Sequence, residues 1–140
     1  MASATISKTI DLPADAVWKL ISNFGDTSWM PPGTKATLVG EGVGMERRIA
    51  IGPDKSIHEK LLALDEAART LRYSIPVNVP FPVTNYSATM RVRPKGAGCE
   101  LEWSASYDCA PDAAATVEKT VQGMYGTMID WIAARAKQNG

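Results

Sequence analysis

Five polar side chains fall on a face of the strand-like segments that is otherwise apolar. They are Arg47, Glu59, Tyr73, Tyr86 and Tyr107. A carboxylate can transfer a proton or anchor a ligand hydroxyl, and a tyrosine hydroxyl can stabilise an oxyanion. Because a solid core would leave such polar groups without partners, we expect them to line an internal cavity. The sequence therefore predicts a small container for an apolar ligand.

Glu59 is the residue in this set that is best suited to proton transfer. If the protein is an enzyme, Glu59 is the predicted general acid or base, and Tyr73 and Tyr86 are the predicted oxyanion donors. In a second interpretation, Glu59 forms a structural ion pair with Arg47 and takes no part in chemistry. The residues alone leave both interpretations open.

The alternation of apolar and polar residues decides which side chains of each strand face inward, since a slip by one residue would reverse every side chain. The alternation is clearest near 84–94 and 99–107. Trp29, Met30 and the proline-rich stretch 75–83 are expected at the cavity entrance. The side chains predicted to line the cavity and bind the ligand are Arg47, Ile49, Ile51, Glu59, Leu61, Tyr73, Ile75, Tyr86, Ala88, Met90, Trp103, Ala105, Val121, Met124, Tyr125 and Met128.

No metal site and no cofactor are predicted. His58 is the one histidine of the chain and falls on the outer face, next to Glu59. Cys99 and Cys109 would be roughly 33 Å apart on one extended strand, whereas a disulfide requires Cα atoms within about 7 Å. The two cysteines are therefore predicted to be free thiols.

The elements that must position these residues are mostly strands. The alternating pattern predicts strands near 5–10, 37–42, 45–51, 57–65, 70–77, 84–94 and 99–107, joined by short turns that favour antiparallel pairing. A short helix is expected to begin at Pro13 and to end at Gly25. The fold class is predicted as α+β, in which a curved antiparallel sheet of about seven strands grips a long C-terminal helix, with short helices after the first strand and an internal cavity.

The long helix is expected over 111–137, with Pro111-Asp112 as its N-cap. The apolar stripe that faces the sheet is predicted from residues at helical spacing, and Gly123 and Gly126 fall off it. The members of this stripe are Val117, Val121, Met124, Met128, Trp131 and Ile132.

Length and charge limit the possible classes of protein. The 140 residues are predicted to form one domain, 1–140, and the 15 basic and 15 acidic residues give no basic field for nucleic acid. No apolar stretch reaches the roughly 18–20 residues that cross a bilayer, so membrane insertion is not expected. No signal peptide is visible at the N-terminus, which favours a cytoplasmic protein. The chain is expected to be a monomer or a homodimer.

Five short segments together resemble a known family. The chain is similar to the START-like, helix-grip proteins of the birch-pollen-allergen superfamily (SRPBCC), and in particular to bacterial members of the polyketide cyclase/dehydrase type. The resemblance implies a seven-stranded sheet around the terminal helix, a deep apolar cavity, and Glu59, Tyr73 and Tyr86 on its wall. The segments that carry it are LPADAVW at 12–18, GVGMER at 42–47, EKLLALD at 59–65, LRYSI at 71–75 and NYSAT at 85–89.

Two functions of different classes follow. The first is reversible binding of a small hydrophobic or aromatic molecule, such as a lipid or polyketide, without a cofactor. The alternative, implied by the resemblance, is a cyclase, dehydratase or aldolase that uses Glu59 as acid or base with cavity tyrosines. A protein-interaction module like the Hsp90-activator relatives would need a large exposed apolar patch, and the polar outer strand faces argue against one.

Overall fold

The computed structural model describes residues 1–140, which form seven strands and two α-helices. A single 3₁₀ turn, Pro111–Ala113, precedes the last helix. In chain order the elements are β1 (Ala2–Ile10), α1 (Ala14–Ser22), β2 (Ala36–Val39), β3 (Glu46–Gly52), β4 (Lys55–Asp65), β5 (Thr70–Val77), β6 (Thr84–Lys95), β7 (Gly98–Asp108) and α2 (Ala114–Asn139).

All seven strands belong to one antiparallel sheet, in the order β1-β7-β6-β5-β4-β3-β2. Strands β2 to β7 follow one another as a meander, and β1 closes the arrangement by pairing with β7 along its whole length, for example Thr5 opposite Ser104. The sheet curves around α2, so the predicted helix-grip α+β fold is confirmed. No helix of the chain combines the length and the apolar character that a membrane span requires.

Strands β6 and β7 carry the clearest alternation, and their inward residues form the centre of the core. Buried and half-buried positions alternate along β7 from Cys99 to Tyr107. The same alternation runs along β6 from Tyr86 to Val92. Alternation of period two therefore gives the correct face for both strands, as expected where one face of a sheet is buried. Cys99 and Cys109 are free thiols, as predicted.

Strand β4 departs from strict alternation. Irregularities in its pairing with β5 lie between His58 and Lys60 and again between Leu61 and Ala63. After the second irregularity the inward face changes, so Ala63 is exposed and Leu64 is half-buried. Strict alternation along Ile57, Glu59 and Leu61 predicts an inward Ala63, and this prediction is wrong, because a bulge inserts an extra residue and shifts the faces by one.

Helix α2 buries only part of the stripe that was predicted to face the sheet. Its buried residues are Val117, Val121, Tyr125, Gly126, Ile129, Ile132 and Ala136. Met124 is 41% exposed, and Gly126, expected off the stripe, is buried. A Cβ atom on Gly126 would lie 3.3 Å from Cδ1 of Ile6, so the missing side chain allows β1 and α2 to approach closely. Lys8 on β1 lies beside the same contact, and its Nζ donates to the Gly126 carbonyl at 3.0 Å.

The start of α2 also differs from the prediction. Pro111 and Asp112 belong to the 3₁₀ turn, and the N-cap of α2 is Ala113, which makes no side-chain capping hydrogen bond. Tight 3₁₀ turns are a common way to begin an α-helix. The predicted N-cap at Pro111-Asp112 is therefore one to two residues too early.

Helix α1 packs on β6 and β7 and fills one end of the sheet. It buries Val17, Trp18, Leu20 and Ile21. The Trp18 indole nitrogen donates to the Glu66 carboxylate at 2.6 Å, which satisfies the one polar atom of that side chain. The fold thus has one end closed by α1.

Candidate functional site

A cavity of about 240 Å³ lies between the sheet, α2 and two loops. Hydrophobic residues make up 13 of its 18 lining positions. Strands β3 to β7 and helix α2 supply most of the wall. The rest of the wall comes from the loop after α1, with Trp29 and Met30, and from the loop after β5, with Pro80 and Phe81. The sequence prediction of an internal cavity agrees with this arrangement.

The two inward charges form an ion pair on the cavity wall. Arg47 on β3 lies directly opposite Glu59 on β4, and Nε of Arg47 donates to Oε1 of Glu59 at 2.5 Å. Nη1 of Arg47 donates to the Phe24 carbonyl at 3.0 Å, and the guanidinium lies 4.0 Å above the Phe24 ring. The Arg47 side chain is 4% exposed and that of Glu59 is 13% exposed. The pair is rigidly held and neutralises its own charge.

One carboxylate oxygen of Glu59 remains available. Oε2 accepts no hydrogen bond from the protein and is not among the buried unpaired atoms, and the Glu59 side chain lines the cavity. The ion pair with Arg47 therefore does not exclude a further role for Glu59, because one carboxylate oxygen holds Arg47 and the other can accept a hydrogen bond from a ligand.

Four aromatic side chains in contact form one wall of the cavity. Trp103 stacks on Tyr125 with ring centroids 4.5 Å apart and planes at 15°. The Trp103 indole nitrogen donates to the Tyr73 hydroxyl at 3.1 Å. The hydroxyl groups of Tyr86 and Tyr125 are hydrogen-bonded to each other. These contacts link four aromatic side chains from three strands and the helix into one wall.

Burial keeps the cavity phenols neutral. Burial, and next the negative charge of Glu59, raise the pKa of Tyr73 far above its usual value. Burial, together with the nearby Tyr73, raises the pKa of Tyr125 in the same direction. Because loss of a proton would leave a charge in a poorly solvated site, these hydroxyls serve as hydrogen-bonding groups and not as bases near neutral pH.

The cavity brings together ten of the sixteen side chains predicted to bind the ligand. They come from five strands and one helix, and they include the three candidates for catalysis, Glu59, Tyr73 and Tyr86. Whether they bind a ligand stays a prediction. The ten are Arg47, Ile49, Glu59, Tyr73, Ile75, Tyr86, Trp103, Met124, Tyr125 and Met128.

The other six predicted residues do not reach the cavity, which corrects the sequence analysis at Ile51, Leu61, Ala88, Met90, Ala105 and Val121. Ile51 lies near the open tip of the β3–β4 hairpin and is 49% exposed. Ala88 and Ala105 are paired across β6 and β7, with Ala4 next in the row. These short side chains let the structure pack closely, so no space remains above them. The remaining three, Leu61, Met90 and Val121, are at most 3% exposed and belong to the solid core.

The ligand-binding prediction missed eight lining residues. Trp29 and Met30 were expected at the cavity entrance, as were Pro80 and Phe81 within the stretch 75–83, and all four line the cavity. Ile57 shares the inward face of Glu59, and Trp131 shares the predicted helix stripe, so both carried a usable signal. Pro31 and Thr34 lie in a loop, where no periodic pattern fixes the direction of a side chain.

Three further polar residues lie elsewhere. His58 faces outward, with Nε2 3.1 Å from Oγ of Ser56. Nζ of Lys8 contacts Asp130 at 2.9 Å, outside the cavity. Tyr107, expected to offer its hydroxyl to a ligand, is fully buried away from the cavity, and that hydroxyl has no partner. No group of three or more His, Cys, Asp or Glu side chains is arranged to hold a metal ion.

The arrangement can enclose a flat apolar molecule and meet one polar group on it. The stacked rings and the aliphatic side chains supply a nonpolar wall, while Oε2 of Glu59 can accept a hydrogen bond. Neutral phenols can donate or accept a second one. No lysine lines the cavity, so the acid–base groups present are Glu59 and the tyrosines.

Solved structures with the same fold cover almost the whole chain. A protein from Thermobifida fusca, solved by NMR, is 32% identical, with a TM-score of 0.85 over 99% of this chain and 95% of that chain. A protein from Bacillus thuringiensis is 28% identical, with a TM-score of 0.80 over 96% and 98% of the two chains. Norcoclaurine synthase from Thalictrum flavum, in complex with dopamine and hydroxybenzaldehyde, is 21% identical, with a TM-score of 0.79 over 99% and 87%, and shares the fold.

Among curated proteins, none is significantly similar in sequence to this chain. The sequence model of the family described as "Polyketide cyclase / dehydrase and lipid transport" matches residues 1–137. The match covers nearly all of the 140 residues and agrees with the helix-grip fold. The chain therefore belongs to the polyketide cyclase/dehydrase and lipid transport family.

Proposed function

We propose that the protein reversibly binds a small hydrophobic or aromatic molecule that carries one hydrogen-bond donor. The observation that supports this most strongly is the cavity itself, in which 13 of 18 lining residues are hydrophobic and the charged pair is neutral overall. A cavity lined in this way gains free energy when an apolar ligand replaces water, and it penalises a ligand with a buried, unpaired charge.

The size and the polar atoms of the cavity narrow the ligand class. About 240 Å³ is below the roughly 300–1,000 Å³ of sites for drug-sized ligands, so one or two aromatic rings fit best. Stacking against Trp103 or Phe81 would favour a flat ring. A ligand hydroxyl is the group that best matches the free oxygen of Glu59.

The comparisons are consistent with this class of ligand. The family description includes lipid transport, and the same fold in norcoclaurine synthase accommodates dopamine and hydroxybenzaldehyde. The ligand of the present chain is inferred from its own cavity residues, because 21% identity supports only the fold.

Filling the cavity tests the proposal. Ile49 lines the cavity, whereas Ile51, two residues along β3, is 49% exposed. We expect neutral mono- and bicyclic phenols to raise the melting temperature of the natural protein by several degrees at a ligand concentration about 100 times Kd. Ile49→Trp should abolish this shift by occupying the site, and Ile51→Trp should retain it. Direct binding is then checked by isothermal titration calorimetry.

Two outcomes would contradict the proposal. One is the lack of any shift across the panel for the natural protein. The other is an equal shift in both tryptophan variants, which would mean that ligands bind elsewhere on the molecule.

A second candidate is an enzyme of the cyclase, dehydratase or aldolase type. The observation that favours it is the unpaired Oε2 of Glu59, a side chain that lines the cavity beside neutral phenols. In this scheme Glu59 removes a proton from carbon or oxygen, and Tyr73 or Tyr86 stabilises the resulting oxyanion. Glu59→Gln should then abolish turnover of a bound substrate while leaving ligand affinity within about tenfold. Full turnover in that variant would exclude Glu59 as the acid or base.

A further inference from the structure

A second depression adjoins the cavity on its outer side. Its volume is about 360 Å³, and it shares four lining residues with the cavity. The shared residues are Trp29, Met30, Pro31 and Trp131. They therefore form a partition whose inner side faces the proposed ligand and whose outer side faces the depression. A ligand longer than the cavity would leave it past these side chains.

The outer depression carries one charged side chain, Arg135. Arg135 lies near the end of α2, and its Nε donates to Oγ of Ser28 at 3.1 Å. Its Nη1 donates to Oε1 of Gln138 at 3.2 Å, while Nη2 donates to no protein group. No acidic residue lines the depression, and Arg135 forms no salt bridge. The guanidinium is thus held in place by neutral partners and keeps its full positive charge.

Arg135 in the outer depression differs from Arg47 in the cavity, because only Arg47 is paired with a carboxylate. Inside, Arg47 is neutralised by Glu59, so the interior offers no net charge to an anionic ligand. Outside, Arg135 has a free nitrogen on a wall of tryptophan and proline. Guanidinium groups bind oxyanions by charge-assisted hydrogen bonds, which are stronger than neutral ones. The geometry separates an apolar binding region from an anion-binding region beyond its entrance.

We infer that the outer depression is a subsite for a terminal oxyanion, and that Arg135 binds it. The inference rests on the proposed function, because the apolar part of the same ligand must occupy the cavity. The preferred ligand is therefore an amphiphile with an aromatic or aliphatic body and a carboxylate or phosphate at the end of a short chain. The Met30 and Trp131 side chains would cover the part of that chain that crosses the partition.

Matched ligands that differ only in charge test the subsite. Phenylhexanoate, phenylhexanamide and the corresponding phenylalkyl phosphate compete with a neutral fluorescent probe bound in the cavity of the natural protein. We expect both anions to bind at least about fivefold more tightly than the amide at low ionic strength, with the difference shrinking as salt is added. The relative affinity of carboxylate and phosphate shows which anion the subsite prefers.

Two variants identify the residue responsible. Arg135→Gln should remove the advantage of the anions and leave the affinity for phenylhexanamide unchanged. Lys137→Gln removes the same charge two residues along the exposed end of α2, outside the depression, and should keep the advantage. Arg135→Lys should retain part of it, since a lysine supplies charge without the planar fork.

The outcomes separate this inference from the proposed function. If the neutral probe and the amide bind but the anions gain nothing, the subsite is excluded and the cavity function stands. Equal weakening of all ligands by Arg135→Gln would also exclude it, because Arg135 would then act on the structure. If neither the neutral probe nor the amide binds, the proposed function fails and the subsite fails with it.

Discussion

The Arg47–Glu59 pair shows how two residues can serve both the stability of the fold and its binding site. They are opposite each other on β3 and β4, and both side chains are nearly buried. Removing one partner would leave an uncompensated charge next to an apolar wall. A cavity mutation that removes either Arg47 or Glu59 alone is therefore expected to destabilise the fold.

We expect Arg47→Met to lower the free energy of unfolding by about 3–5 kcal/mol, because Glu59 loses its partner. The double variant Arg47→Met/Glu59→Leu should recover most of this loss, although the Phe24 carbonyl still lacks its donor. Urea denaturation of the four proteins in a double-mutant cycle measures both effects.

A matched control lies one residue away. Arg48 pairs with Glu46 on the outer face, and its side chain is 39% exposed. Arg48→Met should cost no more than about 1 kcal/mol, since water already screens this pair. A similar loss for Arg47→Met and Arg48→Met would show that burial of the inner pair has little effect on stability.

At the scale of the elements, the two glycines of α2 have opposite surroundings. Gly123 is exposed, and a Cβ atom there would meet nothing within 4 Å. Gly126 is buried against β1, where a Cβ atom would lie 3.3 Å from Ile6 and 3.6 Å from Nζ of Lys8. The first glycine has only a conformational effect, while the second also sets the distance between helix and sheet.

We expect Gly123→Ala to stabilise the protein by about 1 kcal/mol through its better helix propensity. Gly126→Ala should gain less, because Ile6 must shift, and Gly126→Leu should destabilise by about 1–3 kcal/mol through overpacking. Thermal and urea denaturation of the three variants give the comparison. Equal stabilisation by both alanine variants would mean that the close contact between α2 and β1 has no energetic effect.

The elements were largely predictable from sequence, and the reason is the strength of the local patterns. The alternation in β6 and β7 gives the correct inward faces. The short hairpin between β3 and β4 makes a pairing of Arg47 with Glu59 foreseeable. Bulges have no comparable signature, so Ala63 was placed on the wrong face. The predicted and observed buried residues of α2 agree at Val117, Val121 and Ile132 and differ elsewhere, because packing against the sheet decides which neighbouring positions are buried, and Gly126 was misplaced for this reason.

The site was less predictable than the fold. The alternation along a strand shows which side chains point inward, but not whether an inward side chain borders a cavity or packed neighbours. Ala88 and Ile75 are both inward, yet only Ile75 borders empty space. The difference depends on where α1 and α2 meet the sheet, a property of tertiary packing. The loop residues Pro31 and Thr34 lack any periodic pattern, so nothing local predicted that they line the cavity.

At the scale of the whole molecule, the buried phenols couple stability to pH. Burial raises the pKa of Tyr73 and Tyr125 above the ordinary value of 10.0. Above about pH 10 the unfolded chain loses these protons while the folded protein keeps them. Because the folded state then binds more protons, stability falls as pH rises beyond this value and is unaffected by these groups below it.

We expect each of these phenols to contribute up to about 1.4 kcal/mol of lost stability per pH unit above pH 10. Tyr107 and Cys99, whose pKa burial also raises, add to the fall in the natural protein. Tyr73→Phe should reduce the slope of stability against pH by the contribution of one phenol. Urea denaturation between about pH 8 and 11 measures the slopes. Identical slopes in the two proteins would show that Tyr73 ionises as readily in the folded state as in the unfolded chain.

The pairing of β1 with β7 has a consequence for the order in which the chain can fold. Thr5 cannot form its sheet pairing until Ser104, its neighbour on β7, has been synthesised. At about 5–20 residues per second, a ribosome takes several seconds to bridge that interval. During this time the first strand has no partner, and α2, which covers the concave side, does not yet exist. A ligand can therefore occupy the proposed cavity only after α2 has been synthesised, and it cannot assist the earlier steps of folding on the ribosome.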